Sequence, residues 1–138
     1  MPCTFCDIVS GKVAAEIVWR SGDAVAFLDH RPLFPGHVLL TPAGHVELLT
    51  DLPAAQVGPF FQAVQKIEAA VERSMSAEGS FIAVNNRVSQ SVPHLHVHIV
   101  PRRKGDGLKG FFWPRRKYES EQQMRETAEK IRDALRRP

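Results

Sequence analysis

The sequence predicts an α+β domain built on a mainly antiparallel sheet, and three observations carry that expectation. Short apolar runs separated by turn-forming residues recur through the first hundred positions. One long segment with apolar residues at steps of three and four interrupts them. A second segment with that spacing closes the chain. Hairpin-linked strands, one central helix, a further strand and a terminal helix give that class. At 138 residues the chain has room for one domain with a real core.

Cys3-Thr4-Phe5-Cys6 comes first and holds the only two cysteines. In a reducing compartment the C-x2-C spacing suggests metal or redox use rather than a structural disulfide. A thioredoxin-like motif follows a strand and opens a helix; nothing precedes Cys3 here, which makes redox the weaker reading. A metal reading needs two more ligands from elsewhere in the chain.

Ile17–Trp19 and Ala24–Leu28 read as strands joined by the turn residues Ser21-Gly22-Asp23. Asp29 to Gly36 is a loop stiffened by Pro32 and Pro35. His37-Val38-Leu39-Leu40-Thr41-Pro42 reads as a third strand, with His45 three residues beyond it. Thr50 or Asp51 can cap a helix whose apolar stripe is Val57, Phe60, Phe61, Val64, Ile67 and Val71. Gly58-Pro59 is expected to kink or detach its first turn, and Glu78-Gly79 to end it. Phe81–Val84 is a fourth strand, and Asn85 to Ser91 a polar loop. At the far end, Ser120 and Gln123 have capping-box spacing before Met124, Ala128, Ile131 and Leu135.

Between loop and terminal helix lies the most informative stretch, Pro93-His94-Leu95-His96-Val97-His98-Ile99-Val100-Pro101. As a strand it sends His94, His96 and His98 to one face and Leu95, Val97 and Ile99 to the core. A lone buried histidine is usually satisfied by one hydrogen bond. Three on one face each need polar partners, and such titratable clusters mark sites.

The balance of the chain excludes other classes. A 43% hydrophobic and 24% charged composition is that of an ordinary globular protein. No apolar run approaches membrane-spanning length. No basic-then-apolar leader opens the sequence, so a cytoplasmic protein is expected. The net charge of +3 is uneven: residues 102–117 hold seven basic residues and one acid, leaving the remainder at −3. A basic segment directly after the histidines can attract phosphate.

At His-x-His-x-His followed by two apolar residues, the sequence resembles the histidine-triad (HIT) family of nucleotide hydrolases and transferases. Phe27-Leu28-Asp29, Gly36 to Pro42 with His45, Asn85, and Gln90-Ser91-Val92-Pro93-His94 carry the resemblance further, over about residues 3–104. It implies a HIT-like fold with about five mainly antiparallel strands, a central helix and a C-terminal helix. Residues 1–138 then form one HIT domain, with a basic extension and terminal helix over 105–138. It also implies attack on the α-phosphate of a nucleoside phosphate derivative through a covalent nucleotidyl-histidine, followed by hydrolysis. In that reading His96 is the nucleophile, His98 assists the leaving group and His37 supports the triad. Asp29 takes the ribose hydroxyls, Asn85, Gln90 and Ser91 hold phosphate and leaving group, and Phe5 and Ile8 line a base pocket. A neutral imidazole is a competent nucleophile near pH 7, and two displacements are easier than one.

Bacterial relatives that begin with C-x2-C imply one structural zinc per chain, held by Cys3, Cys6, His45 and His94 as a closed tetrahedral set. The partners implied are a nucleotide, adenine or another purine, and a second copy in a homodimer; no membrane or nucleic acid is expected. Two departures stand out. The loop from Asn85 to Gln90 is about two residues shorter than usual, with Ser89 where a glycine eases close approach to phosphate. The segment from Gly107 to Arg115 resembles a bacterial extension, in which Trp113 could stack on a base. Two rival readings stand beside this one: an open catalytic zinc on His94, His96 and His98, and a nucleotide-binding adaptor with vestigial catalysis.

Overall fold

The structure is a computed structural model that describes residues 2–108 and 115–137. Its first compact unit ends at Asp106, and a second begins at Gly107. The first unit runs α1 (Thr4–Ser10), β1 (Ile17–Arg20), β2 (Ala24–Leu28), β3 (Val38–Pro42), a 3-10 turn (Leu49–Asp51), α2 (Ala54–Ser74), β4 (Gly79–Val84) and β5 (Val97–Arg102). The strands form one antiparallel sheet in the order β1-β2-β3-β5-β4.

Alternation along the strands gives the sheet two apolar faces. Ala24, Ala26, Val38, Leu40, Leu95, Val97 and Ile99 meet Phe60, Ala63, Val64, Ile67 and Val71 of α2. Val25, Phe27 and Leu39 meet Cys3, Phe5 and Ile8 of α1 on the other side. So the apolar half of the histidine stretch enters the core as its alternation predicts. Emptying a position such as Ile67 to alanine costs about 2–5 kcal/mol.

Several local expectations are corrected. The strand starts at Val97, so His94 and His96 lie in the segment that feeds it. Pro101 is accommodated because β3 pairs with β5 only as far as Ile99, leaving the proline opposite Ser80 of β4. The long helix starts after Pro53 rather than at Thr50 or Asp51; the detached turn is Leu49–Asp51, where the Asp51 carboxylate accepts the Leu48 N–H at 3.2 Å. Pro59 sits inside α2, near enough to its start that one helix bond is lost without a break. Val57 is exposed, and the helix ends at Ser74 rather than at Glu78-Gly79.

Gly36, directly before His37, has φ of +95°. A Cβ there would lie 2.6 Å from Cγ of Met75, the residue closing α2. Only glycine satisfies both the backbone angle and the approach.

In the second unit, α3 (Glu121–Arg136) is capped as expected: Ser120 Oγ accepts the Gln123 N–H at 3.0 Å. No residue of α3 is buried, and Met124, Ile131 and Leu135 are exposed. Trp113 lies outside the described residues. Among those residues no helix is long and apolar enough to cross a membrane.

Candidate active site and metal cluster

Five of the six histidines gather in two adjoining groups, and their hydrogen-bond partners fix which ring nitrogen is available in each. His37 enters β3 with its ring buried. The Leu33 N–H lies 3.0 Å from its Nδ1 and can only donate. A neutral His37 therefore carries its proton on Nε2, which donates to His98 Nδ1 at 3.0 Å. His98 in turn keeps its proton on Nε2. His96 is held the opposite way. Its Nδ1 lies 2.7 Å from the His94 carbonyl, which can only accept, so Nδ1 carries the proton and Nε2 a lone pair. The His96 and His98 rings lie 5.0 Å apart.

Burial keeps these rings neutral. It lowers His96 and His37, partly opposed for both by the Asp29 carboxylate and, for His96, by the bond to the His94 carbonyl. His98 is pushed down to about 4, by burial first and then by His96 and His37. Asp29 faces the group, with Oδ2 3.7 Å from His37 Nε2 while Oδ1 accepts the Arg31 N–H.

His94 belongs to the second group. Its Nε2 donates to the Pro42 carbonyl at 2.9 Å, which leaves the lone pair on Nδ1. That Nδ1 lies 3.5 Å from Cys3 Sγ, 3.5 Å from Cys6 Sγ and 3.2 Å from His45 Nδ1; Cys6 Sγ is 3.3 Å from His45 Nδ1. A tetrahedral zinc with ordinary Zn–N and Zn–S bonds has N···N edges of about 3.3 Å and S···N edges of about 3.6 Å. Those four distances fit such edges, all four ligand atoms lie within 4.8 Å of one another, and the side chains could hold zinc. Burial and the neighbouring Cys3 push the Cys6 thiol up.

Asp29, His37 and His98 also converge closely enough to hold a metal. The bond from Leu33 argues against it: a metal on His37 Nε2 needs the proton on Nδ1, which is already an acceptor. The triad histidines do not converge on one point, because His94 turns to the cysteines while His96 and His98 tie their Nδ1 atoms elsewhere. His94, His96 and His98 do not form a group close enough to share a metal among the described residues.

The other expected residues are placed as follows. Phe5 and Ile8 are buried on α1, and the Phe5 ring meets that of His96 at 4.9 Å. Asn85 follows β4 directly, and Ser91 is exposed. Gln90 holds its own loop: Oε1 accepts the Arg87 N–H at 2.8 Å and Nε2 donates to the Glu47 carbonyl at 2.7 Å. Ser89 has φ of +62°, so the position that departs from glycine does adopt the conformation glycine favours. In the basic segment, Arg102 forms a two-pronged pair with Asp106, and Arg103 donates to the Met75 carbonyl. Those two side chains brace a turn.

Sequence reasoning missed Thr41. It is fully buried, and its hydroxyl donates to the Leu95 carbonyl at 2.8 Å, fixing the peptide between His94 and His96. A hydroxyl residue in an otherwise apolar strand beside the histidines was the available signal.

A model of the HIT domain matches residues 10–105, about seven-tenths of the chain. The chain belongs to the HIT family. The HIT fold recurs in a solved Streptococcus mutans protein, 32% identical with a TM-score of 0.86, over 96% of this chain and 85% of that one. A structure described as a Zn-bound histidine triad family protein from Mycobacterium smegmatis is 34% identical with a TM-score of 0.74, over 97% and 98% of the two chains. Among HIT relatives of named activity, the Schizosaccharomyces pombe bis(5'-nucleosyl)-tetraphosphatase is 38% identical over 96 residues, 68% of this chain and 53% of that protein. The family therefore includes nucleotide hydrolases.

Proposed function

We propose that the protein is a nucleotidyl hydrolase or transferase that cleaves nucleoside phosphoramidates or dinucleoside polyphosphates through a covalent His96 intermediate. The observation that carries this reading is the tautomer of His96: a buried, neutral ring whose Nδ1–H is held by a carbonyl, leaving Nε2 as the nucleophilic atom.

The Nε2 lone pair forms a bond to the α-phosphorus, and the bond from phosphorus to the leaving group breaks with its electron pair on that group. His98 Nε2–H, oriented through His37 and Leu33, hydrogen-bonds the departing atom. Water then attacks the same phosphorus, the P–N bond breaks, and a nucleoside monophosphate leaves with His96 restored. Asp29 accepts the ribose hydroxyls. Asn85, Gln90 and Ser91 hold the phosphate and leaving group, the Gln90 amide also tying its loop to Glu47. Phe5 and Ile8 provide an apolar wall suited to a purine. The HIT domain includes the terminal extension, and the working form is a homodimer in the cytosol.

Cys3, Cys6, His45 and His94 hold one zinc per chain. With four protein ligands it has no open position for water, and its contribution is structural.

The experiment is AMP release from adenosine phosphoramidate and, separately, from diadenosine tetraphosphate. Wild type turns over at least one of them, and His96→Ala is at least about a thousandfold slower. No turnover of either by wild type, or full activity in the variant, contradicts the proposal.

A further inference from the structure

Phe5 stands between the two cysteines, so whatever fixes Cys3 and Cys6 also fixes its ring. Cys3 is the N-cap of α1, its Sγ accepting the Cys6 N–H at 3.5 Å, and both sulfurs lie against His94. The Phe5 ring is 6% exposed and stands perpendicular to His96, with centroids 4.9 Å apart. Phe27, at 5.3 Å and 71°, and His94, at 6.0 Å and 68°, flank it.

The second support of His96 is the His94 carbonyl, and it too leads to the cluster. His94 is held through Nε2 by Pro42 and through Nδ1 by its place among the metal-binding side chains. The following residue is fixed on both sides: the Leu95 N–H donates to the Val46 carbonyl at 2.7 Å, and the Leu95 carbonyl accepts from Thr41. A single hydrogen bond locates Nδ1 but leaves the imidazole free to tilt about it. A ring packed at right angles removes that freedom.

We propose that Phe5 is a positioning residue for His96, and that the loaded Cys3/Cys6/His45/His94 cluster holds both Phe5 and the His94 carbonyl in place. Metal occupancy then sets the turnover of His96 as well as the order of α1. The inference rests on the reading of His96 as the nucleophile, and differs from a base-wall role for Phe5 in predicting an effect on chemistry rather than on binding.

The test compares Phe5→Leu with Val9→Ala in the zinc-loaded full-length protein, loading being checked by metal stoichiometry. Val9 packs on the same apolar cluster from the same helix. Two readouts are taken: kcat and KM for adenosine phosphoramidate, and side-chain nitrogen NMR at fixed pH, which reports the nitrogen that carries the His96 proton. Phe5→Leu lowers kcat about tenfold or more, keeps KM within about twofold, and mixes or broadens the His96 tautomer signal. Val9→Ala leaves kcat and that signal at wild-type values. Removing zinc from wild type reproduces the Phe5→Leu signature, and Zn2+ added back reverses it.

A raised KM with unchanged kcat overturns the proposal, as does an equal loss of kcat in both variants. An unaltered His96 signal in Phe5→Leu overturns it as well. Phe5→Leu keeps all four ligands, so it decides the matter even where zinc removal melts α1. Should wild type turn over no substrate, the nucleophile reading fails, while the NMR comparison still shows whether Phe5 and the metal hold His96.

Discussion

His94 and His96 are two residues apart and use their ring nitrogens in opposite ways. His94 gives Nε2–H to the Pro42 carbonyl and turns Nδ1 toward Cys3, Cys6 and His45. His96 gives Nδ1–H to the carbonyl of His94 and keeps Nε2 for the site. Under the proposed function the same side chain serves as a metal ligand in one place and a nucleophile in the other, and what differs between the two is a backbone carbonyl on one nitrogen or the other. The two groups are also joined, since His94, which lies against the cysteines, supplies the carbonyl that orients the His96 ring.

The largest way to break that comparison is on the metal side. Cys6→Ser or His45→Ala is expected to reduce zinc from one per chain to near zero by metal analysis and to cost several kcal/mol in urea unfolding, because metal binding energy is folding energy. On the other side, His37→Ala removes the ring that sets the His98 tautomer. It lowers kcat by about 10–100-fold with zinc content unchanged, a fall measurable in the AMP-release assay.

Acid acts on the neutral rings. Burial lowers His37, His96 and His98 in the folded state, His98 to about 4, against an ordinary value of 6.5. Between those values the unfolded chain binds more protons than the folded one. Their contribution is present above pH 6.5 and is lost as the pH falls toward about 4. Urea midpoints measured from pH 7 to pH 4 should fall steadily over that range. The smallest change concerns the short loop: Ser89→Gly relieves a side chain at φ of +62° and raises stability by about 1 kcal/mol, seen as a higher Tm.

The parts of the molecule set by side-chain periodicity were legible beforehand. Alternation placed Leu95, Val97 and Ile99 in the core, and the stripe from Phe60 to Val71 found the buried face of α2. What periodicity does not encode was missed. Helix initiation moved to Pro53 because the Asp51 carboxylate was engaged by the preceding turn. The tautomers of His37, His96 and His98 depend on the Leu33 N–H and the His94 carbonyl, and main-chain partners leave no mark on residue type. Nor did residue type show that the Gln90 amide binds Arg87 and Glu47, a pairing set by the fold of its loop. The stripe on α3 was readable, but its exposure was not, because spacing says which residues share a face and not what covers it.

The central claim is that His96 carries the transferred nucleotidyl group. Its most direct test is to quench the reaction with adenosine phosphoramidate on the millisecond scale and map the adduct by mass spectrometry of the digested protein. The account predicts one adenylyl group per chain, on His96, forming and decaying fast enough to support turnover and absent from His96→Ala. Turnover without such an adduct, or an adduct on another residue, would contradict it.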